Sequence, residues 1–399
     1  MDFIEKKAHE LYVSSSGLSK SADQFGFGFP FLSYTDIFHN YYAPDELVTL
    51  VNSTEKDRER CSVERGDVFL TRTSETTEEL GMSCVALKNY PNATFNGFAK
   101  RLRPITDEIV PEYAAYYFRS PYFRGQCMSM ASLITRASLN DAMISRLKIR
   151  YPAKKENQIK ISEILMQYDR LVLNNTKRIE LLEQMAENLY KEWFVLFRFP
   201  GYQNTEFEED APKGWIFGDE EIIHRPKEWH IGELRELGEF VRGKNITSEK
   251  MVAGETPVIS AGLQPSGYHN EANVYGESLT ISASGANAGY MQYHLNNIWA
   301  ADCSYYQSDS NLWFVYSTLK FLQPVISNMQ AGAAQPHVYP KHVNRLSIII
   351  PTKDLIDRYC DAVIPMFSQI KILREKNENL MKQRDLLLPK LMSGKIEVI

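Results

Sequence analysis

Nine basic residues fall between positions 98 and 150: Lys100, Arg101, Arg103, Arg119, Arg124, Arg136, Arg146, Lys148 and Arg150. Only four acids accompany them, a local balance of +5. A concentration of this kind suits binding to phosphates. Residues 201–240 reverse the sign, with four bases against eleven acids, and are expected to form a solvated connector. The whole chain is −5 with a pI near 6.0, which taken alone argues mildly against nucleic acid. The distribution of charge is therefore more informative than its sum.

Other residue patterns test for catalysis and fail. In DQFGFGF (23–29) the spacing is similar to a D-x-F-x-G-x-G loop that cradles S-adenosylmethionine, but Gly26 and Gly28 come one position too early. No Asn/Asp-Pro-Pro-Tyr/Phe follows, so the base-binding tetrapeptide of amino-methyltransferases is missing, and the stretch reads as a glycine-rich turn. SGKI at 393–396 resembles the end of a phosphate-binding loop, yet Pro389 stands where that loop needs glycine. It reads instead as a helix stop with Gly394 as a left-handed cap. SASGAN (282–287) lacks the glycine before Ser284 that a nucleophile elbow requires. The eight histidines show no ligand spacing on a helix, and His224 and His230 are expected at the surface. Cys61, Cys84, Cys127, Cys303 and Cys360 stand singly, which predicts free, buried thiols.

The elements that must position any site are organised by a repeat at an offset of 199 residues. ISRLKIRYP (144–152) lies over VNRLSIIIP (343–351), so Arg146, Leu147, Ile149 and Pro152 recur as Arg345, Leu346, Ile348 and Pro351. The register continues without a gap: Lys177, Leu181, Gln184, Leu189 and Lys191 recur as Lys376, Leu380, Gln383, Leu388 and Lys390. Each half runs globular region, strand, proline, long helix, which implies two similar halves about a pseudo-two-fold axis. The first helix carries Ile161, Ile164, Tyr168, Leu171, Ile179, Leu182, Ala186, Leu189 and Trp193 at coiled-coil spacing. A stutter-like irregularity is expected between Leu171 and Ile179. The second offers Val363, Phe367, Ile370, Leu373, Leu380, Leu387 and Leu391. Each helix of about 40 residues would be on the order of 60 Å long and needs a partner of equal length. The simplest is the other helix, antiparallel.

With 399 residues, 44% hydrophobic and 24% charged, the chain has the composition of a globular protein of two or three domains. MDFIEKKAHE carries acids and no apolar core, so no secretory signal is expected, and no apolar run reaches bilayer length. The cytoplasm is the expected compartment. VFLTRT (68–73), MSCVAL (82–87), LTISAS (279–284) and NLWFVY (311–316) read as strands. PEYAAYYFRSPYFRGQCMSM (111–130) reads as one or two helices, with a counterpart near 313–330.

LLLPKLMSGKI closing a long helix, GDVFLTRTS (66–74) and FAKRLRP (98–104) together resemble the specificity subunits of type I restriction–modification systems. The resemblance covers essentially the whole chain. It implies an α+β fold of two similar target recognition domains separated by two long antiparallel helices forming a coiled coil. The expected layout is domain 1 at 1–152, a central spacer helix at 153–200, an acidic connector at 201–229, domain 2 at 230–351 and a C-terminal spacer helix at 352–399. It also implies a non-catalytic chain that reads a bipartite sequence in double-stranded DNA, one half per domain. The paired helices would set the gap and dock two methyltransferase (modification) subunits, joined by restriction (motor/nuclease) subunits in defence against foreign DNA in a bacterium or archaeon. S-adenosylmethionine, Mg and ATP are then expected only on those partners, with no metal on this chain and no membrane association. A related system with a fused methyltransferase/nuclease partner, or a structural coiled-coil adaptor, are the alternatives.

Base reading needs side chains on loops held by a scaffold. The expected readers of the first domain are Arg72, Thr73, Ser74, Thr76, Asn96, Lys100 and Arg136. In the second domain TISASGANAGY takes the equivalent place without the arginine, and Ser284, Asn287, Tyr290, Gln335 and His337 are the candidates. Residues 241–350 are formally neutral, so phosphate clamping is expected mainly from the first domain and from the partners.

Overall fold

The computed structural model describes residues 1–74, 76, 79–130, 137–210, 223–328 and 337–398. The chain divides into two compact units, residues 1–174 with 376–399 and residues 175–375. Each unit contains a globular region and one segment of each long helix.

In the first unit, strand β1 (Phe3–Lys7) pairs antiparallel with β6 (Lys148–Pro152), Phe3 opposite Pro152. The main sheet is formed by β2 (Tyr12–Ser16), β3 (Val68–Thr71), β4 (Ser83–Val85) and β5 (Ala99–Pro104), in the order β2-β5-β3-β4. All of its pairings are antiparallel. Val68, Leu70, Val85 and Leu102 sit in one core with the helix Pro111–Tyr117 and with Ile161, Leu165, Leu388, Leu391 and Met392 of the long helices. The globular part therefore uses the helices as a wall of its own core.

The second unit repeats this plan. Strand β7 (His230–Glu233) pairs antiparallel with β12 (Ser347–Ile350). The main sheet joins β8 (Val241–Arg242), β9 (Ser278–Ser282), β10 (Met291–His294) and β11 (Cys303–Tyr306) in the order β8-β11-β9-β10. A three-stranded sheet recurs too: its middle strand is antiparallel to one neighbour and parallel to the other in both units. NLWFVY departs from the strand expectation, because Leu312–Phe321 is a helix. Leu312, Trp313, Phe314, Val315 and Leu319 are all buried. The aromatic and branched residues there reflect burial on nearly every side, which periodicity cannot distinguish from a buried strand.

The central helix spans Lys155–Tyr190 and continues into a π-turn at Lys191–Val195; the C-terminal helix spans Lys353–Ser393. It stops as anticipated: Gly394 adopts φ 76°, and the Ile396 amide donates to the Lys390 carbonyl at 3.3 Å. A Cβ at Gly394 would lie 2.7 Å from the Phe3 ring, so glycine is required by space as well as by φ.

The seam of the central helix departs from the expectation at two residues, with Leu165 in place of the half-buried Ile164 and Val172 in place of Leu171. Leu171 is 51% exposed. The buried or half-buried line runs Ile161, Leu165, Tyr168, Val172, Asn175, Ile179, Leu182, Ala186 and Leu189. These are unbroken steps of 3 and 4, with no stutter. The same spacing holds on the C-terminal helix through Val363, Met366, Ile370, Leu373, Asn377, Leu380, Arg384, Leu387 and Leu391. The irregularity expected from sequence exists only if polar Asn175 is placed at the surface. Both asparagines, Asn175 and Asn377, are only 8% exposed.

In each unit the two helix segments are tied by an ion pair that also holds the globular part. In the first, Arg384 donates to Asp169 and covers the Tyr41 ring at 4.6 Å. Asp169 also accepts from the hydroxyls of Tyr42 and Tyr116. In the second, Arg374 pairs with Glu183 at 3.3 Å and covers the Tyr293 ring at 4.5 Å, while the Tyr293 hydroxyl donates to Glu183.

Candidate nucleic-acid interface

Strand β3 ends at Thr71, whose buried hydroxyl accepts from the Met82 amide at 2.9 Å and donates to the Glu79 carbonyl at 3.1 Å. The chain then leaves the sheet at Arg72. The Arg72 amide donates to the Phe98 carbonyl at 3.0 Å, and its carbonyl accepts from the Leu139 amide at 2.8 Å. Thr73 and Ser74 continue as a short strand paired with Ala137–Ser138. Three separate chain segments thus fix the backbone from which Arg72 projects. The Arg72 Nε is buried and finds no acceptor among the described residues. An unsatisfied buried donor is costly, and a ligand acceptor would relieve it.

Asn96 is half-buried, and its Oδ1 accepts from the Phe98 amide at 2.8 Å, shaping the turn that leads into β5. Thr76 is exposed. Arg136 and Gln335 lie outside the described residues. Lys100 departs from the expectation of a surface cation. It is 5% exposed, and its ammonium donates to Ser16 Oγ at 2.9 Å and Asp141 Oδ2 at 2.8 Å. The Lys100 hydrogen bond holds the Asp141 carboxyl below its usual range. Lys100 positions the strand rather than offering charge to a ligand.

The same correction applies to much of the basic run. Arg101 donates to the Ser62 carbonyl, and Arg103 pairs with Asp67 and Glu64. Arg119 donates to the carbonyls of Ser83, Ile37, Phe38 and Asn40, and burial pulls its guanidinium down to about 10. Arg124 reaches the Leu80 carbonyl. These cations satisfy internal carbonyls and carboxylates, so the +5 balance overstates the charge presented to solvent.

The corresponding frame in the second unit is set by the same hydrogen bonds. The Ala283 amide donates to the Asp302 carbonyl at 3.3 Å, and the Ala283 carbonyl accepts from the Val338 amide at 3.1 Å. Ala283 therefore occupies the place of Arg72, Asp302 that of Phe98, and Val338 that of Leu139. Ala283 is fully buried. Ser284, one residue on, bridges to His337 through the backbone, and its hydroxyl donates to Asp302. The Asp302 carboxylate also accepts from Arg242 of β8. Asn287 is half-buried in a tight turn closed by the Tyr290 amide on its carbonyl at 2.9 Å. Tyr290 is exposed, and the exposed His337 ring stacks on Tyr339 at 5.7 Å. Ser284, Asn287, Tyr290 and His337 thus lie around one loop cluster.

Arg242 and Asp302 escape a reading of the sequence because they are 60 residues apart, on strands whose pairing no local pattern reveals. Among the described residues, no group of three or more His, Cys, Asp or Glu is placed to hold a metal ion. All five cysteines are free and buried. No helix among the described residues is long and apolar enough to cross a membrane.

The described chain thus holds two copies of one α+β unit, each with a strand-end loop cluster. The model of the family described as "Type I restriction modification DNA specificity domain" matches residues 13–184 and 226–380, and the chain belongs to that family. It is 26% identical to the type I restriction enzyme MjaIX specificity subunit of Methanocaldococcus jannaschii over 87% of this chain and 82% of that protein. It is 20% identical to the type I restriction enzyme HindI specificity subunit of Haemophilus influenzae over 92% of this chain and 94% of that one. The fold is similar to the crystal structure of a type I restriction–modification S subunit from M. genitalium. That match has a TM-score of 0.56 and 15% identity, covering 98% of this chain and 96% of the other.

Proposed function

We propose that this chain is the non-catalytic DNA-reading subunit of a type I restriction–modification complex, in which each unit reads one half of a bipartite target. The observation that supports this most directly is a repeated backbone frame with unlike side chains at matching positions. Arg72 and Ala283 make the same two backbone hydrogen bonds, donating to the carbonyls of Phe98 and Asp302 and accepting from the amides of Leu139 and Val338 respectively. Two readers of different half-sites need this combination of common scaffold and divergent edge. In the first, Arg72 supplies a guanidinium suited to guanine O6/N7 or to a phosphate, its Nε having no acceptor among the described residues.

In this reading the two long helices set the gap between the half-sites and dock two methyltransferase subunits, with restriction subunits joining that core. Half-sites about one DNA turn apart, roughly 34 Å, need a rigid spacer. S-adenosylmethionine, Mg and ATP belong to the partner chains. A cytoplasmic location in a bacterium or archaeon goes with the same role.

The test is to co-express the chain with its partner methyltransferase and map methylated adenines in the host genome. A two-part motif with a fixed gap is expected. Exchanging residues 1–151 for those of another specificity subunit should alter one half of the motif only. Removing four residues from one long helix should change the gap or abolish methylation. A motif without two parts, or one whose halves change together, would overturn the reading.

A further inference from the structure

Resting on the base-reading role above, we propose that Arg242, oriented by Asp302 and Ser284, reads a guanine in the half-site of the second unit. At the position matching Arg72 the second unit has no arginine, since Ala283 is buried and apolar. The adjacent strand pair restores one. Arg242 lies on β8 opposite Ser304, and its guanidinium reaches across to Asp302, the residue standing where the first unit has Phe98.

Both oxygens of Asp302 are engaged. Oδ1 accepts from Arg242 Nη2 and Oδ2 accepts from Ser284 Oγ. The carboxylate is therefore fixed in rotation, and it fixes the guanidinium in turn. One of five donors is used there, and no other acceptor for Arg242 is found among the described residues. The side chain is 40% exposed, so a ligand can reach it from solvent.

The backbone beneath it is equally constrained. The Gly243 amide donates to the Cys303 carbonyl and the Lys244 amide to the Ala300 carbonyl, both at 2.9 Å. A Cβ at Gly243 would lie 2.6 Å from the Ala300 carbonyl oxygen, so only glycine allows the strand to lie this close. A planar fork held on a rigid strand loses little freedom on binding and matches guanine O6 and N7. A phosphate clamp, by contrast, gains nothing from an adjacent carboxylate. The Arg242–Asp302 pair is net neutral, so it adds direction to the contact rather than attraction for the DNA backbone.

Methylation mapping with the full chain and its partner subunits tests this, using Arg242→Ala and Asp302→Asn. The half of the motif that follows residues 230–351 in a domain exchange should contain a G·C pair. Arg242→Ala should relax that one position, with roughly tenfold or greater loss of discrimination. Asp302→Asn should relax the same position to a smaller degree. The other half-site should stay unchanged, which also reports that the variant is folded and assembled. An unaltered motif with uniformly weaker methylation would make Arg242 a phosphate contact and overturn the proposal. If Arg242→Ala directs no methylation, Asp302→Asn decides: an unchanged motif overturns the assignment. A wild-type half-site without G·C would overturn this assignment alone. A wild-type complex with no two-part motif would remove the base-reading role and this assignment with it.

Discussion

Lys100 lies two residues from the exposed Phe98, yet its ammonium is enclosed between Ser16 and Asp141. Replacing Asp141 by Asn leaves a nearly buried cation with a weaker acceptor. A loss of about 1–3 kcal/mol in chemical denaturation is expected, with little change in the salt dependence of DNA binding. Because the folded Asp141 carboxyl is held below its unfolded value, its contribution persists above the ordinary carboxylate range and fades as pH falls through the folded value. His294 gives the opposite residue type the same direction. Burial, aided by Arg374, lowers its imidazole from 6.5 to about 4. The unfolded state then binds more protons between those values, so stability declines as pH drops from about 6.5 towards 4. A His294→Gln variant should flatten that slope in denaturation series at pH 7 and pH 5. The strand-end position of Arg72 was legible in GDVFLTRTS. The fate of the basic run was not, because charge counted along a chain does not say which carbonyls will fold over it.

At the scale of elements, the helices were the most legible part, since little besides a long paired helix produces a 3–4 pattern over some 40 residues. Leu171 departs from the pattern because hydrophobicity alone does not assign a seam. Leu171, Leu181 and Met185 are exposed, while Asn175 and Asn377 are buried. A polar residue in a seam costs stability and specifies register. Replacing both asparagines by Leu should therefore raise the thermal midpoint of the chain. The same variant should blur the methylation motif into more than one gap length. A lower midpoint would show that the asparagine hydrogen bonds outweigh the gain in apolar burial. Removing the Asp169 carboxylate should act differently. Asp169→Ala strands Arg384, Tyr42 and Tyr116 together, and a loss of about 3–5 kcal/mol is expected for an ion pair this enclosed.

At the scale of the whole molecule, the repeat at offset 199 extends to single hydrogen bonds. The Ala8 amide donates to the Leu147 carbonyl and the Leu234 amide to the Leu346 carbonyl, while Leu139 and Val338 serve the two strand ends. Sequence exposed this symmetry in unbroken register only in the strand–proline–helix stretch, and by likeness of pattern at the strand ends and the helices near 111–130 and 313–330. Upstream, insertions and divergent loops erase the register, so the sequence leaves Ala283 or Ser284 as the match to Arg72, and the backbone hydrogen bonds decide for Ala283. One unit is contiguous in the chain, whereas the other takes residues 1–174 and then 376–399. On a ribosome, residues 175–375 can close their core while the earlier-made unit still lacks Leu388, Leu391 and Met392. A released chain truncated after position 375 should thus protect its later half from protease and leave the earlier half open to cleavage. The earlier of the two units is the last to be finished, and residues 376–399 act as its latch.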